Sequence, residues 1–121
     1  VSIDKPWNIC ADDLVIFGDY VHINATELIS IGKRCVISQY AMLLTEIGEC
    51  KSRGELNTVG PIHIEDDSWV AADTLVLPNS HIENGVVVGA RSLVKGRLSS
   101  WSICTGQPAE RRTDRVLHGT V

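Results

Sequence analysis

Aliphatic residues recur at every sixth position through the second half of the chain, which predicts a repeating structure. The run comprises Ile64, Val70, Val76, Ile82, Val88 and Val94. A period of six matches neither an α-helix, which repeats every 3.6 residues, nor a flat strand, which alternates every two. It is typical of a parallel β-helix, in which the chain forms short strands separated by corners and completes one coil every three strands.

Small or β-branched side chains occupy a second set of positions, four residues after the aliphatic ones. This set comprises Ser68, Thr74, Ser80, Val86 and Ser92. Each of them precedes the next aliphatic residue by two positions, and side chains two apart on a strand lie on the same face. Both sets are therefore predicted to point into the solenoid and to form its core.

The same register runs through the first half of the chain, with short interruptions. Its positions there are Ala11, Phe17, Ile23, Ile31, Ile37 and Leu43. With three hexads per coil, the pattern predicts about four stacked coils, at 11–28, 31–48, 64–81 and 82 to about 96. We therefore predict a single all-β domain over 1–121. It consists of a single-stranded β-helix over about 9–96, a loop over 48–62 and a C-terminal extension over 97–121.

Residues just before each aliphatic position are predicted to point outward, and they fall on three faces. The first face carries Ile16, Val36, Trp69 and Val87, the second carries His22, Met42, Leu75 and Leu93, and the third carries Cys10, Ser30, His63 and His81. The first two faces are mostly apolar, which a solvated monomer avoids. The pattern therefore predicts that the chain associates with itself, most simply as a symmetric homo-oligomer.

Composition argues against several classes of partner. The net charge is −4, and the sequence has neither a Lys/Arg stripe nor interleaved aromatic residues, so a nucleic-acid surface is not expected. No apolar run approaches the roughly 20 residues of a membrane span, and the opening residues do not form a signal peptide. The four cysteines lack a CxxC pair, which favours reduced thiols and a cytoplasmic location. Cys35 falls at an interior position and is predicted to be buried.

Three segments resemble the hexapeptide acyltransferases: IGKRCVISQYAMLLT, SWVAADTLVLPNSHIENGVVVGARSLV and WSICTGQPAERR. The resemblance covers about residues 5–112 and is greatest to sugar O-acetyltransferases of the colanic-acid-biosynthesis and galactoside type. It implies a left-handed parallel β-helix and a homotrimer that binds acetyl-CoA, as cosubstrate, in the cleft between subunits. It also implies direct transfer of the acetyl group to a sugar hydroxyl, with no covalent enzyme intermediate and no metal.

The resemblance places the general base of the family, a histidine in a T-G-x-H-D segment after the ISQ stretch, at Gly48. In the family this histidine removes the proton from the sugar hydroxyl as that oxygen attacks the thioester, and its loss typically costs about 10²–10⁴ in rate. Glu46 and Glu49 flank the position and are the candidate replacements. A carboxylate acts as a base near neutral pH only if burial raises its pKa, and the alternative is that both are solvated loop charges.

The resemblance also assigns small residues to the pantetheine arm of CoA, which approaches the backbone closely, and basic residues to the nucleotide end. The corners of a solenoid require small residues in any case, so the two interpretations remain open for the small ones. At two positions where the resemblance implies a basic residue, this sequence has Gly96 and Glu110 instead. Lys95 and Arg111 each lie one residue away and are the candidate substitutes. The candidate cosubstrate residues are Trp69, Ala71, Ala72, Gly89, Ala90, Arg91, Lys95 and Arg111.

Two other functions follow from the same residues. The departures at Gly48, Gly96 and Glu110 favour a catalytically inactive trimer that binds CoA or a sugar, or serves as a scaffold. The second alternative is a zinc enzyme, because γ-class carbonic anhydrases use this fold with three histidines around the metal. His63 and His81 are one coil apart and are predicted to stack about 4.8 Å from each other. A third ligand is lacking, so a solvated or acceptor-site role is the simpler expectation for this pair.

Overall fold

The computed structural model describes residues 1–51 and 54–116, with the side chains of residues 49–51 and 54–57 outside the description. These residues form a left-handed parallel β-helix, as the sequence predicts. One short 3-10 helix spans Pro6–Asn8. None of the described helices is long and apolar enough to cross a membrane.

The strands of the solenoid are short, mostly two or three residues, because the chain turns a corner after each of them. In chain order they are β1 (Ser2–Asp4), β2 (Ile9–Ala11), β3 (Ile16–Phe17), β4 (His22–Asn24), β5 (Ile29–Ile31), β6 (Val36–Ile37), β7 (Met42–Leu44), β8 (Glu46–Lys51), β9 (Gly54–Val59), β10 (Ile62–Ile64), β11 (Trp69–Val70), β12 (Leu75–Val76), β13 (His81–Ile82), β14 (Val87–Val88), β15 (Leu93–Val94), β16 (Arg97–Leu98), β17 (Ser102–Gly106) and β18 (Ala109–Asp114).

Three sheets wrap around one core, and each corresponds to one of the predicted outward faces. The first sheet has the order β3-β6-β11-β14-β17-β18, the second β1-β4-β7-β12-β15 and the third β2-β5-β10-β13-β16. The chain passes from the third sheet to the first, then to the second, and back to the third. We refer to the turns between them as the third–first, first–second and second–third corners.

The register of the three sheets confirms the predicted faces. On the first face Val36 pairs with Ile16 and Trp69, which in turn pairs with Val87. On the second face His22 pairs with Met42, Met42 with Leu75, and Leu75 with Leu93. On the third face the partners follow the predicted order Cys10, Ser30, His63 and His81.

The described solenoid is one coil longer than the predicted four. Strand β1 adds a rung beside β4, and the parallel pairs His81↔Arg97 and Val87↔Ile103 continue the solenoid past residue 96. The hexad register is lost there because Gly96, at φ +86, makes a corner two residues shorter than the others. The interior positions then resume at Leu98 and Cys104, which are both buried.

The segment predicted as a loop over 48–62 contains a hairpin of two antiparallel strands, β8 and β9, in which Gly48 pairs with Asn57. The hairpin leaves the solenoid at the second–third corner, between β7 and β10. Its base is closed by a hydrogen bond from the Gly60 amide to the Thr45 carbonyl, 2.9 Å long. The coil therefore resumes in register after the excursion.

The core consists of the two interior sets predicted from the repeat. Ile37, Val70 and Val88 stack on successive rungs of the first sheet and are fully buried. The interior hydroxyls donate to nearby backbone carbonyls, as in the bond from Ser68 Oγ to the Glu83 carbonyl, 3.0 Å long. Because a buried hydroxyl without a partner is costly, these bonds explain how Ser and Thr are accommodated in the small interior positions.

Cys35 is buried in this core, as predicted, and burial raises the pKa of its thiol. At the C-terminal end of the solenoid, β18 extends the first sheet and runs antiparallel to β17. Arg115 ties this end to the corners, because its Nη1 donates to the carbonyls of Asp67 and Gly85 at 2.7 and 3.0 Å. Residues 117–121 of the predicted extension lie outside the described residues.

Truncation of one core leucine tests this packing. Leu43→Ala removes a fully buried side chain, and we expect the free energy of unfolding to fall by about 2–5 kcal/mol because a cavity remains. The matched control is Leu14→Ala, since Leu14 is 73% exposed and its truncation should change stability by less than about 0.5 kcal/mol. Denaturant titrations of both variants provide the comparison, and equal losses would contradict the assigned register.

Candidate functional site

Small residues of two successive rungs lie together at the first–second corner. Ala71 and Ala72 follow β11, and Gly89 and Ala90 follow β14, one rung further. The rungs are joined by backbone hydrogen bonds, among them the Arg91 amide to the Ala72 carbonyl at 2.9 Å. The structure therefore brings these predicted residues together into one strip, which we call the small-residue corner.

Packing accounts for only part of this strip. A Cβ atom at Gly89 would lie 2.6 Å from Thr105 Cγ2 on the next rung, so close packing alone requires glycine there. Ala72 is half-buried and Ala90 is exposed. Burial therefore leaves room for a larger side chain at Ala90, and its small size keeps the backbone of the corner accessible.

Two larger side chains flank the small-residue corner. Trp69 projects from the first sheet, is 47% exposed, and donates from Nε1 to Ser38 Oγ at 2.9 Å, which fixes the indole. Arg91 is exposed, and its Nε lies 3.7 Å from a carboxylate oxygen of Asp73. Exposed ion pairs of this kind contribute about 0–1 kcal/mol, so little free energy is lost if Arg91 turns to a ligand.

Two tyrosines lie at the same first–second corner, on the rungs that precede the small-residue corner. The sequence pattern predicted no role for them. Tyr20 and Tyr40 occupy corresponding corner positions of successive rungs, with φ angles of 60° and 62°. Their rings stack with centroids 5.2 Å apart and planes inclined by 15°. The sequence could have indicated this pair, because the segments Gly18–Tyr20 and Ser38–Tyr40 occupy equivalent positions of the repeat and each ends in a tyrosine.

The position of the family base lies on a different edge, on the hairpin at the second–third corner. Gly48 is exposed, and Glu46 is half-buried and pairs with Val59 across the hairpin. The backbone of Glu49 lies in β8, whereas its side chain is outside the described part of the chain. Because side chains two apart on a strand share a face, Glu46 is on the face of the hairpin to which a side chain at position 48 would belong.

The two predicted basic residues are separate from the small-residue corner. Lys95 is exposed at the second–third corner, after β15. Arg111 is exposed on β18 and forms an ion pair with Asp114. Within one chain the candidate residues therefore form two main groups, at opposite edges of the second sheet, with Arg111 at the C-terminal end.

The third face carries a connected column of polar side chains. Ser30 Oγ lies 2.7 Å from His63 Nδ1. His63 and His81 are partners on adjacent rungs, as predicted, but their rings are 5.8 Å apart and inclined by 58°, so they do not stack face to face. His81 Nε2 pairs with the Glu65 carboxylate, and Arg97 Nη2 lies 3.3 Å from His81 Nδ1. Because arginine only donates, His81 Nδ1 is the acceptor in its contact with Arg97.

This column gives the zinc alternative no complete ligand set. Among the described residues, no three His, Cys, Asp or Glu side chains lie close enough together to hold a metal ion. Each histidine is instead bonded to a hydroxyl or a carboxylate. The pair therefore acts, in the single chain, as part of a hydrogen-bonded surface.

A groove of about 500 Å³ runs along the third–first corner beside this column. Its polar lining includes Cys10, Asp12, Ser30, Glu65, Asp66 and Asn84. Next to the groove, Arg34 donates to both carboxylate oxygens of Asp67, at 2.7 and 3.0 Å. This pair holds the pKa of Asp67 below its ordinary value, chiefly through the hydrogen bond.

The sequence is similar to several acetyltransferases, although no protein-family model matches it. It is 36% identical over 116 residues to the putative colanic acid biosynthesis acetyltransferase WcaF of Escherichia coli K12, covering 96% of this chain and 64% of that protein. It is 30% identical over 110 residues to the putative lipopolysaccharide biosynthesis O-acetyl transferase WbbJ of the same organism, covering 81% and 56%. The chain thus spans less than two thirds of the length of these relatives.

Solved structures show the same fold. An N-acyltransferase from Bacillus cereus, AntD, in complex with dTDP-4-amino-4,6-dideoxyglucose and coenzyme A, superposes with a TM-score of 0.80 at 21% identity, covering 96% of this chain and 78% of that one. A maltose O-acetyltransferase from Clostridium difficile 630 superposes with a TM-score of 0.69 at 19% identity, covering 96% and 67%. The six-residue repeat, the three stacked sheets and the similarity to these acetyltransferases agree with the hexapeptide-repeat acyltransferase family that the sequence resembles.

Proposed function

We propose that this chain forms the β-helix of an O-acetyltransferase that moves an acetyl group from acetyl-CoA to a sugar hydroxyl. The observation that carries the proposal is the small-residue corner in a chain 36% identical to a putative sugar-polymer acetyltransferase. The names of the relatives support a sugar as the acceptor, since they include lipopolysaccharide and maltose acetyltransferases. The bound coenzyme A of AntD supports the donor.

The small-residue corner suits the pantetheine arm, which is thin and carries amides. Ala90 leaves the backbone accessible, and Arg91 and Trp69 flank the strip with a cation and an indole. The nucleotide end of CoA carries phosphates, which favour basic partners, and Arg91, Lys95 and Arg111 are the candidates. In this arrangement the nucleotide lies toward the C-terminal rungs and the thioester toward the N-terminal ones.

The chemical step needs a proton acceptor. The sugar oxygen attacks the thioester carbonyl, a C–O bond forms, the C–S bond breaks, and the CoA thiolate leaves while the hydroxyl proton passes to a base. Glu46 is the strongest candidate for this base, because it shares a hairpin face with position 48. Glu49 is the second candidate.

The two groups of candidate residues meet only if a second chain supplies one of them. A symmetric trimer would set the hairpin edge of one chain against the small-residue corner of its neighbour. The apolar first and second faces support this association, because Ile16 is 60% exposed and Trp69 and Met42 are also exposed. The outward residues proposed for the contact are Ile16, Val36, Trp69 and Val87 on the first face, and Met42, Leu75 and Leu93 on the second.

A competing function follows from Gly48 itself. A chain that lacks the family histidine and has no replacement base would bind acetyl-CoA without transferring the acetyl group. Such a protein would be an inactive homologue that binds CoA or a sugar, or a trimeric scaffold. Binding and turnover therefore need separate experiments.

Acetyl-CoA binding tests the proposed corner. Saturating acetyl-CoA should raise the melting temperature, since ligand at a hundred times Kd stabilises by about 2.7 kcal/mol. Ala90→Leu should weaken binding, measured by calorimetric titration, because the larger side chain covers the backbone of the strip. Ser99→Leu is the matched control, as Ser99 is an exposed small residue at the third–first corner, after β16. Absence of binding at millimolar acetyl-CoA, or equal loss in both variants, would contradict the assignment.

Restoring the histidine tests the chemistry. Gly48→His should raise acetyl transfer to a panel of sugars by about 10²–10⁴ if the wild type lacks an effective base. Glu46→Gln should abolish any activity of the wild type, and Asn57→His, across the hairpin from Gly48, controls for an added imidazole. Acetylated sugar is measured by mass spectrometry. Transfer seen only in Gly48→His identifies the wild type as the inactive homologue.

Light scattering after gel filtration tests the assembly. The proposed trimer has three times the 13.2 kDa mass of one chain. Ile16→Asp should shift the mass toward that of one chain, because an unpaired charge buried at an interface costs about 3–5 kcal/mol. Cys10→Asp, on the polar third face, should leave the mass unchanged. A wild-type mass of one chain would refute the trimer.

A further inference from the structure

We propose that Tyr20 and Tyr40 form an aromatic platform that binds the ring of the acceptor sugar, at the N-terminal end of the small-residue corner. The inference deepens the proposed function and rests on it for the position of the thioester. It adds a binding site for the acceptor to the same edge of the solenoid that carries the proposed cosubstrate strip.

The tyrosine pair presents aromatic rings that are ordered by stacking and remain exposed to solvent. These are the only two tyrosines of the sequence, and their rings stack on each other, 5.2 Å apart and nearly parallel. Tyr20 is nevertheless 71% exposed and Tyr40 is 55% exposed. Stacking therefore orients the rings without burying them, which leaves a rigid apolar surface in water.

The backbone at these positions would favour other residues. Both tyrosines have φ near +60°, where bulky residues are uncommon and Asn or Asp is tolerated best. Two other large residues with positive φ have partners within the chain, since Arg34 pairs with Asp67 and Trp101 packs against Arg115, whereas Leu14 is exposed. The two tyrosines contact each other, so the aromatic pair itself is the feature that needs an explanation.

The platform is in line with the proposed cosubstrate strip. The Tyr40 amide bonds the Asp19 carbonyl of the previous rung, and the Asp73 amide bonds the Gln39 carbonyl, at 3.0 and 3.1 Å. With rungs about 4.8 Å apart, Tyr40 is one rung from the Ala71–Asp73 turn and Tyr20 is two. A thioester that points toward the N-terminal rungs would end beside Tyr40.

The chemistry of the platform fits a pyranose ring. The face of an aromatic ring is electron-rich, and the axial C–H groups of a sugar form an apolar face with slight positive charge. Stacking occupies one face of each ring, so the sugar can lie on the opposite, outer face of a tyrosine with its hydroxyls directed outward. Adenine would also stack, but the basic candidates for the nucleotide end, Lys95 and Arg111, lie toward the other end of the solenoid.

Titrations with simple glycosides test the platform on the intact protein. The probes are methyl α-D-glucopyranoside and methyl β-D-galactopyranoside, added to ¹⁵N-labelled protein in the presence of saturating CoA, with amide shifts as the readout. We expect at least one probe to bind the wild type with shifts at Tyr20 and Tyr40. The double variant Tyr20→Asn/Tyr40→Asn should bind at least about tenfold more weakly, by analogy with the loss of a stacked base.

Two control variants and two further measurements make the result specific. Tyr20→Phe/Tyr40→Phe keeps both rings and should retain most of the affinity, and Leu14→Asn changes a positive-φ corner residue on another edge and should retain all of it. The melting temperature of the Asn variant shows whether the variant is folded. It should not fall, because Asn is tolerated at a φ near +60°. CoA affinity, measured separately, should be unchanged, and sugar binding that persists when CoA fails to bind would refute only the proposed donor.

Four outcomes would overturn the platform. Neither glycoside binds the wild type, or the Asn and wild-type proteins bind equally well. Alternatively, adenosine displaces the glycoside from the tyrosines and binds them more tightly, which would assign the rings to the nucleotide. Finally, the Asn variant changes the oligomeric mass in light scattering, which would make the pair a subunit contact.

Discussion

Stacking of identical interior positions from rung to rung is the constraint on which the whole molecule depends. Each strand is too short to be stable alone, and it is held by hydrogen bonds to the rungs on either side and by the aliphatic column beneath it. Ile37, Val70 and Val88 form such a column, and Ser68 shows how a hydroxyl is accommodated within it. Every rung must present the same interior, and a shortened corner such as that at Gly96 still returns the next residues, Leu98 and Cys104, to interior positions.

This constraint turns corners into functional surfaces. Residues that are far apart in sequence recur at the same corner of successive rungs, so each edge of the solenoid is a line of side chains about 4.8 Å apart. The first–second corner presents two tyrosines, then small residues, then an arginine. The second–third corner is interrupted by the hairpin that carries Gly48 and Glu46. A long, thin cosubstrate and an acceptor can be matched to such a line without any change in the core.

The separation of the two edges has a physical consequence for the proposed chemistry. A strand of the second sheet lies between the small-residue corner and the hairpin, so the two groups lie at different edges of one chain. Apolar outward residues on two faces are the complementary feature, since they favour packing of one solenoid against another. The position of the proton acceptor and the state of assembly are therefore parts of the same question.

The sequence by itself determined the interior, the corners and the three outward faces. It could do so because a six-residue period is local and repeats many times, so every rung reports the same geometry. The pairing of Trp69 with Val36 and Val87, and of His63 with His81, followed from that period alone. The motifs then indicated which family the sequence resembles. The same resemblance placed Gly48 where that family has its catalytic histidine.

Only the tertiary structure decided the features that break or exceed the period. Gly96 shortens one corner, so the rung at Leu98 escaped the hexad count, and an antiparallel hairpin has no hexad signal at all. The pairing of His81 with Glu65 and the stacking of Tyr20 on Tyr40 depend on side-chain directions across rungs, which spacing does not specify. The repeat places residues side by side, whereas their rotamers and charges decide which of them make contact.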